Sequence, residues 1–185
     1  MYFDPRMYPI QYPYQQYGYV NGPVYHQSVQ PHHYMPYQEV SRQGFMPYRA
    51  SQDQGPQPYT LNINEAAKAN NTYRTAIWTG EHLQVTLMSL NVGEDIGLEI
   101  HPHIDQFLRI EQGEGVVQMG KTQNQLNFVR RVNEDSAIMI PAGTWHNVTN
   151  TGKVPLKLYS IYAPPQHPRG TVHVTKADAM AAEAH

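Results

Sequence analysis

The sequence contains no cysteine among its 185 residues, which excludes disulfide bonds, thiolate metal ligands and a cysteine nucleophile. Charged residues make up only 15% of the chain, and the formal net charge is -2. A nucleic-acid-binding surface or a polybasic membrane patch needs a clear excess of lysine and arginine. We therefore expect neither nucleic acid nor a membrane among the partners of this protein.

Long apolar runs are also missing. No stretch approaches the ~20 apolar residues that a membrane-spanning helix requires. The first residues, MYFDPRMYPIQYPYQQYGY, lack the basic region and the apolar region of a secretory signal peptide. We therefore expect a protein without a recognisable secretion signal, located in the cytoplasm unless another feature directs its assembly elsewhere.

Residues 1–59 differ in composition from the rest of the chain. They hold eleven of the 14 tyrosines, nine of the 15 prolines and ten glutamines, but no leucine. Because burial of so few aliphatic side chains cannot offset the conformational entropy lost on ordering, we predict a mostly disordered, low-complexity extension. Because tyrosine rings stack and their hydroxyls form hydrogen bonds, this extension is also suited to self-assembly. A solvated tail without a role is the alternative.

Residues 60–185 have the pattern of one globular domain. A short helix is predicted at NINEAAKANN (62–71), with Asn62 or Asn64 as its cap, and another at TKADAMAAEAH, where Thr175 and Asp178 are placed as a capping pair. Between the helices, short β-like runs cover 73–78, 83–90, 97–101, 106–111, 115–119, 125–131, 137–140, 145–150 and 156–162. Many short strands with evenly spaced turns predict an all-β sandwich or barrel.

Two segments carry side chains with chemical potential. In GLEIHPHIDQ (97–106), Glu99 and His101 are two residues apart, so they point to the same side of an extended chain. Gln106 follows a tight reversal and begins the next run. In IPAGTWHNVTN (140–150), a turn rich in proline and glycine leads to His146 at the start of a strand.

These segments resemble the two signature motifs of the cupin superfamily. The first motif reads Gly, five residues, His-x-His, three or four residues, Glu, six residues and Gly. In this chain its fixed positions hold Gly93, Glu99, His101, Gln106 and Gly113. The resemblance covers about residues 80–165 and implies a single double-stranded β-helix, or jelly-roll barrel, with short flanking helices.

The second motif reads Gly, five residues, Pro-x-Gly, two residues, His, three residues and Asn. Pro141, Gly143, His146 and Asn150 occupy its positions, while Asp135 stands where the leading glycine is usual. The two motifs occur in the expected order, and nearly every fixed position is matched. This makes the resemblance specific for the fold.

The resemblance implies a metal site with Glu99, His101, Gln106 and His146 as ligands. Glu99 replaces the usual first histidine, and Gln106 replaces the usual glutamate. Taking His101 and His103 as the His-x-His pair would shift both glycine spacings by two residues, so His103 is kept as a reserve ligand. A metal-free site remains the alternative.

This ligand set mixes imidazole nitrogens with carboxylate and amide oxygens. It suits a divalent Mn, Fe, Ni or Zn ion and argues against Cu(I). No other cofactor motif is present, because the glycines of GEGVVQMGK are turn residues rather than a phosphate-binding loop. No catalytic residue is assigned. Four aromatic residues could wall a pocket or belong to an ordinary core, namely Trp145, Phe107, Tyr159 and Tyr162. The sequence does not decide whether His167 or Arg169 of the loop PPQHPRG reaches the site.

The sequence leads to two hypotheses for function. The first is a metal-binding small cupin acting as an oxygenase, isomerase or lyase on a small polar metabolite. The alternative is a structural protein, such as a bacterial spore-coat component, that uses the cupin domain as an oligomerising scaffold and is located in the spore coat. A ligand-sensing module is weaker, because no DNA-binding segment accompanies the domain. The resemblance to small cupins, which commonly pair through edge strands, implies a homodimer.

Overall fold

A computed structural model describes residues 53–183 of the chain, and residues 1–52 and 184–185 lie outside the described part. Within that part, two helices flank nine strands. They are α1 (Ile63–Ala69), β1 (Arg74–Thr79), β2 (Gln84–Leu90), β3 (Asp105–Gln112), β4 (Glu114–Gly120), β5 (Phe128–Asn133), β6 (Ala137–Ile140), β7 (Trp145–Asn150), β8 (Leu156–Ala163), β9 (Val172–His173) and α2 (Lys176–Glu183). None of the described helices is long and apolar enough to cross a membrane.

The strands form two antiparallel sheets. One has six strands in the order β6-β3-β8-β2-β1-β9, and the other has three in the order β5-β4-β7. Apolar side chains from both sheets share one buried cluster, which includes Met88, Leu108 and Leu158 from the larger sheet and Val117 and Val148 from the smaller. The core therefore lies between the sheets, and the predicted all-β barrel with short flanking helices is confirmed for the described residues.

Both predicted helices are present, and both begin with the predicted caps. The Asn62 side chain accepts a hydrogen bond from the Glu65 amide at the start of α1. At the start of α2, the Thr175 amide donates to Asp178 at 2.8 Å, and the Asp178 amide donates to the Thr175 hydroxyl at 3.2 Å. Helix α1 packs on the outer face of the six-stranded sheet, where its buried alanines contact Leu87.

The segment GLEIH (97–101) is not the continuous strand that its composition predicts. It forms only an isolated bridge between Glu99 and His146. Gly97 has a φ of 84°, outside the extended region, and Pro102 follows the segment directly. Gly97 on one side and Pro102 on the other therefore prevent the bridge between Glu99 and His146 from extending into a longer strand pair. Strand β9, at Val172–His173, was not predicted because a two-residue strand leaves no alternating pattern.

Asp135 explains a departure from the second motif. It has a φ of 69°, which is the left-handed conformation that a leading glycine would adopt freely. Aspartate tolerates this region better than most residues, and here its carboxylate also pairs with Arg109. The turn before β6 therefore keeps its conformation without the glycine.

The described chain already includes residues 53–59 of the predicted extension. The Asp53 carboxylate accepts hydrogen bonds from the Thr79 hydroxyl at 2.5 Å and from the Gly170 amide at 3.1 Å. The Trp78 indole donates to the Gln57 carbonyl at 2.8 Å. These contacts join residues 53–59 to β1 and to the loop before β9. The predicted low-complexity residues before Asp53 lie outside the described part.

Candidate metal centre

The backbone of the first motif is fixed to the backbone of the second. Glu99 and His146 exchange two hydrogen bonds, with the Glu99 amide donating at 3.0 Å and the His146 amide donating at 2.9 Å. The Gly143 amide also donates to the His101 carbonyl at 2.8 Å. Residues that exchange both bonds across an antiparallel pair project their side chains to the same side. Both motifs therefore contribute to one face at the end of the barrel.

Three side chains converge on this face. The Glu99 carboxylate lies 3.3 Å from Nε2 of His146 and 3.4 Å from Nε2 of His101. All three potential ligand atoms lie within 4.8 Å of one another. His146 is completely buried, His101 is nearly so, and 18% of the Glu99 side chain remains exposed. The group is therefore enclosed, with an opening on the Glu99 side.

The protonation states suit metal binding. Burial raises the pKa of the Glu99 carboxyl, but its contacts with His101 and His146 outweigh that effect and hold the pKa at about 2. Nδ1 of His146 lies 2.9 Å from the Thr144 carbonyl, which can only accept, so Nδ1 carries the proton. Nε2 of His146 is therefore the ring nitrogen that faces the carboxylate and would bond a metal ion there.

The unpaired atoms provide the test of fit. Nε2 of His101 and Nε2 of His146 are both buried without a hydrogen-bond partner. Leaving such atoms unsatisfied costs on the order of 1–3 kcal/mol each. A divalent ion bonds nitrogen and oxygen at about 2.0–2.2 Å, which requires ligand atoms about 3–4 Å apart. The two carboxylate–imidazole separations, 3.3 and 3.4 Å, meet this requirement, so these three residues fit a shared cation.

Gln106, on β3, is paired across the sheet with Tyr162 of β8. It is 3% exposed, and its amide nitrogen donates to the Ser160 hydroxyl at 3.0 Å. That bond leaves the amide oxygen, Oε1, buried without a partner. This amide oxygen would be the fourth ligand of the predicted set. That role of Gln106 stays a prediction. His103 is exposed in the reversal after the motif and lies outside the converging group.

A model of the family described as "Cupin domain" matches residues 86–162, the range that holds both motifs and all four predicted ligands. The crystal structure of BH2720 from Bacillus halodurans is 68% identical, with a TM-score of 0.70 over 70% of this chain and 98% of that chain. This chain belongs to the cupin family.

Two further relatives share this cupin domain. "Uncharacterized protein YrkC" of Bacillus subtilis (strain 168) is 74% identical over 123 residues, which are 66% of this chain and 66% of YrkC. "Uncharacterized protein L612" of Acanthamoeba polyphaga mimivirus is 42% identical over 117 residues, 63% of this chain and 71% of L612. This chain thus spans only about two thirds of the length of YrkC.

Two further polar residues lie inside the cupin barrel, and no sequence signal indicated the position of either. Arg74, on β1, is 1% exposed. Arginine is usually an exposed residue, so its type did not predict this burial. His167 reaches the interior, with its ring 5.1 Å from that of Tyr162, whereas Arg169 is exposed. Tyr162 in turn lies 5.7 Å from the His101 ring. Tyr162 therefore forms one wall of the site.

Proposed function

We propose that this cupin is a metal-dependent enzyme that acts on a small polar metabolite as an oxygenase, isomerase or lyase. The observation that supports this proposal is the group of Glu99, His101 and His146, which presents two bare imidazole nitrogens and an ionised carboxylate to one point. An assembly of this kind has no evident structural purpose, because apolar side chains would fill the same space at lower cost.

The residues of the chain have separable roles. Glu99, His101 and His146 would hold the ion, with Gln106 as the predicted fourth ligand. When bound, a divalent Mn, Fe, Ni or Zn ion would supply Lewis acidity or a redox centre. The Thr144 carbonyl fixes the tautomer of His146 through Nδ1, and the Ser160 hydroxyl orients the Gln106 amide so that its oxygen is free. The exposed part of Glu99 marks the side from which a small molecule would enter.

The test of this proposal is metal-dependent turnover. Full-length protein would be stripped with a chelator, reloaded with one ion at a time, and incubated with a defined mixture of organic acids, hydroxy acids and sugars. An isomerase gives a product of unchanged mass, a lyase gives two fragments, and an oxygenase consumes dissolved oxygen. We expect consumption that requires the ion and is lost in Glu99→Gln. Consumption that survives both chelation and Glu99→Gln would contradict the proposal.

A second candidate is an assembly protein, such as a spore-coat component, in which the barrel is an oligomerising scaffold. Two observations favour it. Residues 1–59 have a tyrosine-, proline- and glutamine-rich composition suited to self-assembly. Strand β5 lies at the edge of its sheet and exposes Phe128 and Val129, at 44% and 46%, as a homodimer contact would require.

The two candidates predict different locations and different effects of truncation. The enzyme would be cytoplasmic and would keep its turnover without residues 1–52. The scaffold would be found in the spore coat and would lose large assemblies on the same truncation. Sedimentation of the full chain and of the truncated chain separates them. Equal assembly in both forms would contradict a role of residues 1–52 in self-assembly.

A further inference from the structure

A row of polar side chains continues from the metal centre along the inner face of the six-stranded sheet. Arg74 is paired across β1 and β2 with Met88, a core residue, so Arg74 projects inward as well. His173 is the partner of Arg74 across β1 and β9. The rings follow one another, with His101 next to Tyr162, Tyr162 next to His167, and His167 6.5 Å from His173.

Three atoms of this row are buried without a hydrogen-bond partner. They are Nε of Arg74, Nε2 of His167 and Nδ1 of His173. The Arg74 side chain is only 2% exposed, and its guanidinium makes an ion pair from Nη1 to the Glu183 carboxylate at 3.2 Å. The guanidinium also lies over the Tyr73 ring, 5.5 Å from its centroid. A buried guanidinium with an unsatisfied edge is costly. Its unpaired Nε donor is therefore available to a ligand.

The loop that carries His167 is held in place by another buried side chain. The Gln84 amide oxygen accepts from the His167 backbone amide at 2.9 Å, and the Gln84 amide nitrogen donates to the His167 carbonyl at 2.8 Å. Gln84 is itself 0% exposed. A reciprocal pair of bonds of this kind fixes the backbone on both sides of the residue. The inward position of the imidazole is thus built into the fold.

We propose that Arg74, His167 and His173, with Tyr162 between them and the metal centre, form an anion subsite that binds the carboxylate group of a small organic acid. This inference rests on the proposed function, because it names the substrate class of the same site. One guanidinium charge matches a single carboxylate. The neutral imidazoles can each donate one further hydrogen bond. The carboxylate of Glu183 already occupies one edge of Arg74, which shows that this chemistry fits there.

Charge argues for a carboxylate over a phosphate. Arg74 is the cation of the row, and the negative charges of Glu99 and Glu183 both stabilise its charged form. The imidazole of His167 remains neutral at pH 7, because burial and then the charge of Arg74 lower its pKa to about 3. Repulsion from these two carboxylates grows with the charge of the ligand, so a dianion is less favourable here than a monoanion. A monoanionic head group is the better match.

The experiment is an NMR titration of the full-length protein with acetate, acetamide and inorganic phosphate, once metal-free and once loaded with Zn²⁺. We expect acetate to bind more tightly than its neutral isostere acetamide and more tightly than phosphate. Arg74→Gln should weaken acetate binding at least ~10-fold, equivalent to about 1.4 kcal/mol. Arg109→Gln is the matched control, since Arg109 is a partly exposed arginine paired with Asp135. It should leave acetate binding unchanged.

Glu183→Gln keeps the test decisive if Arg74→Gln does not fold. Glu183 is 55% exposed, so its substitution is tolerated, and it frees the guanidinium edge for the ligand. Acetate should then bind several-fold more tightly. Acetate affinity that is unchanged in both Glu183→Gln and His167→Gln, or a preference for phosphate or acetamide, would overturn the inference. If acetate binding depends on Arg74 but the protein takes up no Zn²⁺, only the proposed function is refuted. If the protein takes up Zn²⁺ but acetate binding does not depend on Arg74, only the subsite is refuted.

Discussion

Glu99 and His146 are joined twice, once through their backbones and once through their side chains. Their amides and carbonyls exchange hydrogen bonds at 3.0 and 2.9 Å, and the carboxylate lies 3.3 Å from Nε2 of the imidazole. The geometry of the site therefore depends on the register of β7. A shift by one residue would turn His146 to the outer face and dismantle the site.

The burial of His167 predicts a distinct response to acid. Its pKa is lowered to about 3 from an ordinary value of 6.5, by burial and by the charge of Arg74, among neighbours that include Glu99, His101 and His173. Between these two values the unfolded chain binds more protons than the folded one, so the free energy of unfolding falls as the pH drops below 6.5. His167→Gln removes this contribution. Chemical denaturation at pH 7 and pH 5 should show a smaller loss for the variant.

The matched control for that experiment is His82→Gln, because His82 is 85% exposed. Its loss of stability between pH 7 and pH 5 should equal that of the native protein. Parallel losses in the native protein and in His167→Gln would show that His167 is not kept neutral by the fold.

Two truncations locate the start of the folded unit. Removing residues 1–52 should leave the free energy of unfolding unchanged, because the contacts of Asp53 and Gln57 remain. Removing residues 1–59 eliminates the bonds from Thr79 and Gly170 to Asp53, and that from Trp78 to Gln57. At about 0.5–1.5 kcal/mol per net hydrogen bond, the loss of these three bonds should cost about 1.5–4.5 kcal/mol. Urea denaturation measures the difference, and equal stability of the two truncated proteins would contradict these contacts.

Much of the fold could be predicted from local signals. The caps at Asn62 and Thr175, and the alternating pattern of runs such as β3 and β8, follow from interactions between residues close in sequence. Two elements could not be obtained in this way. The 97–101 segment is interrupted by the backbone of Gly97, and β9 exists only because it pairs with β1. Both depend on tertiary contacts that the sequence pattern does not encode.

The candidate site divides along the same line. Motif spacing predicted that Glu99, His101 and His146 are brought together, and the family match supports the frame in which they were counted. Arg74 gave no signal, because its burial depends on the pairing of β1 with β2 and β9. The orientation of the His167 loop depends on the side-chain amide of Gln84, which lies on β2. The position of a residue that depends on such long-range partners cannot be predicted from a sequence motif.

Asp135 provides a test of why the second motif departs from its usual glycine. Asp135→Gly and Asp135→Ala both lose the ion pair with Arg109, so the difference between them reports the strain of alanine at positive φ, reduced by the extra chain entropy that glycine loses on folding. The alanine variant should be less stable than the glycine variant by about 1 kcal/mol, since alanine is strained at positive φ. Thermal unfolding measures this difference. Equal stability of the two variants would show that the φ of 69° carries no strain.

We infer that Glu99, His101 and His146 bind one divalent ion, and metal analysis of the purified, dialysed protein is the decisive experiment. Glu99→Gln preserves the shape of the side chain, His146→Ala removes a fully buried ligand, and His103→Ala is the exposed control. We expect close to one ion per chain in the native protein and in His103→Ala, and almost none in Glu99→Gln and His146→Ala. Native protein without metal, or metal content unchanged by Glu99→Gln and His146→Ala, would contradict it.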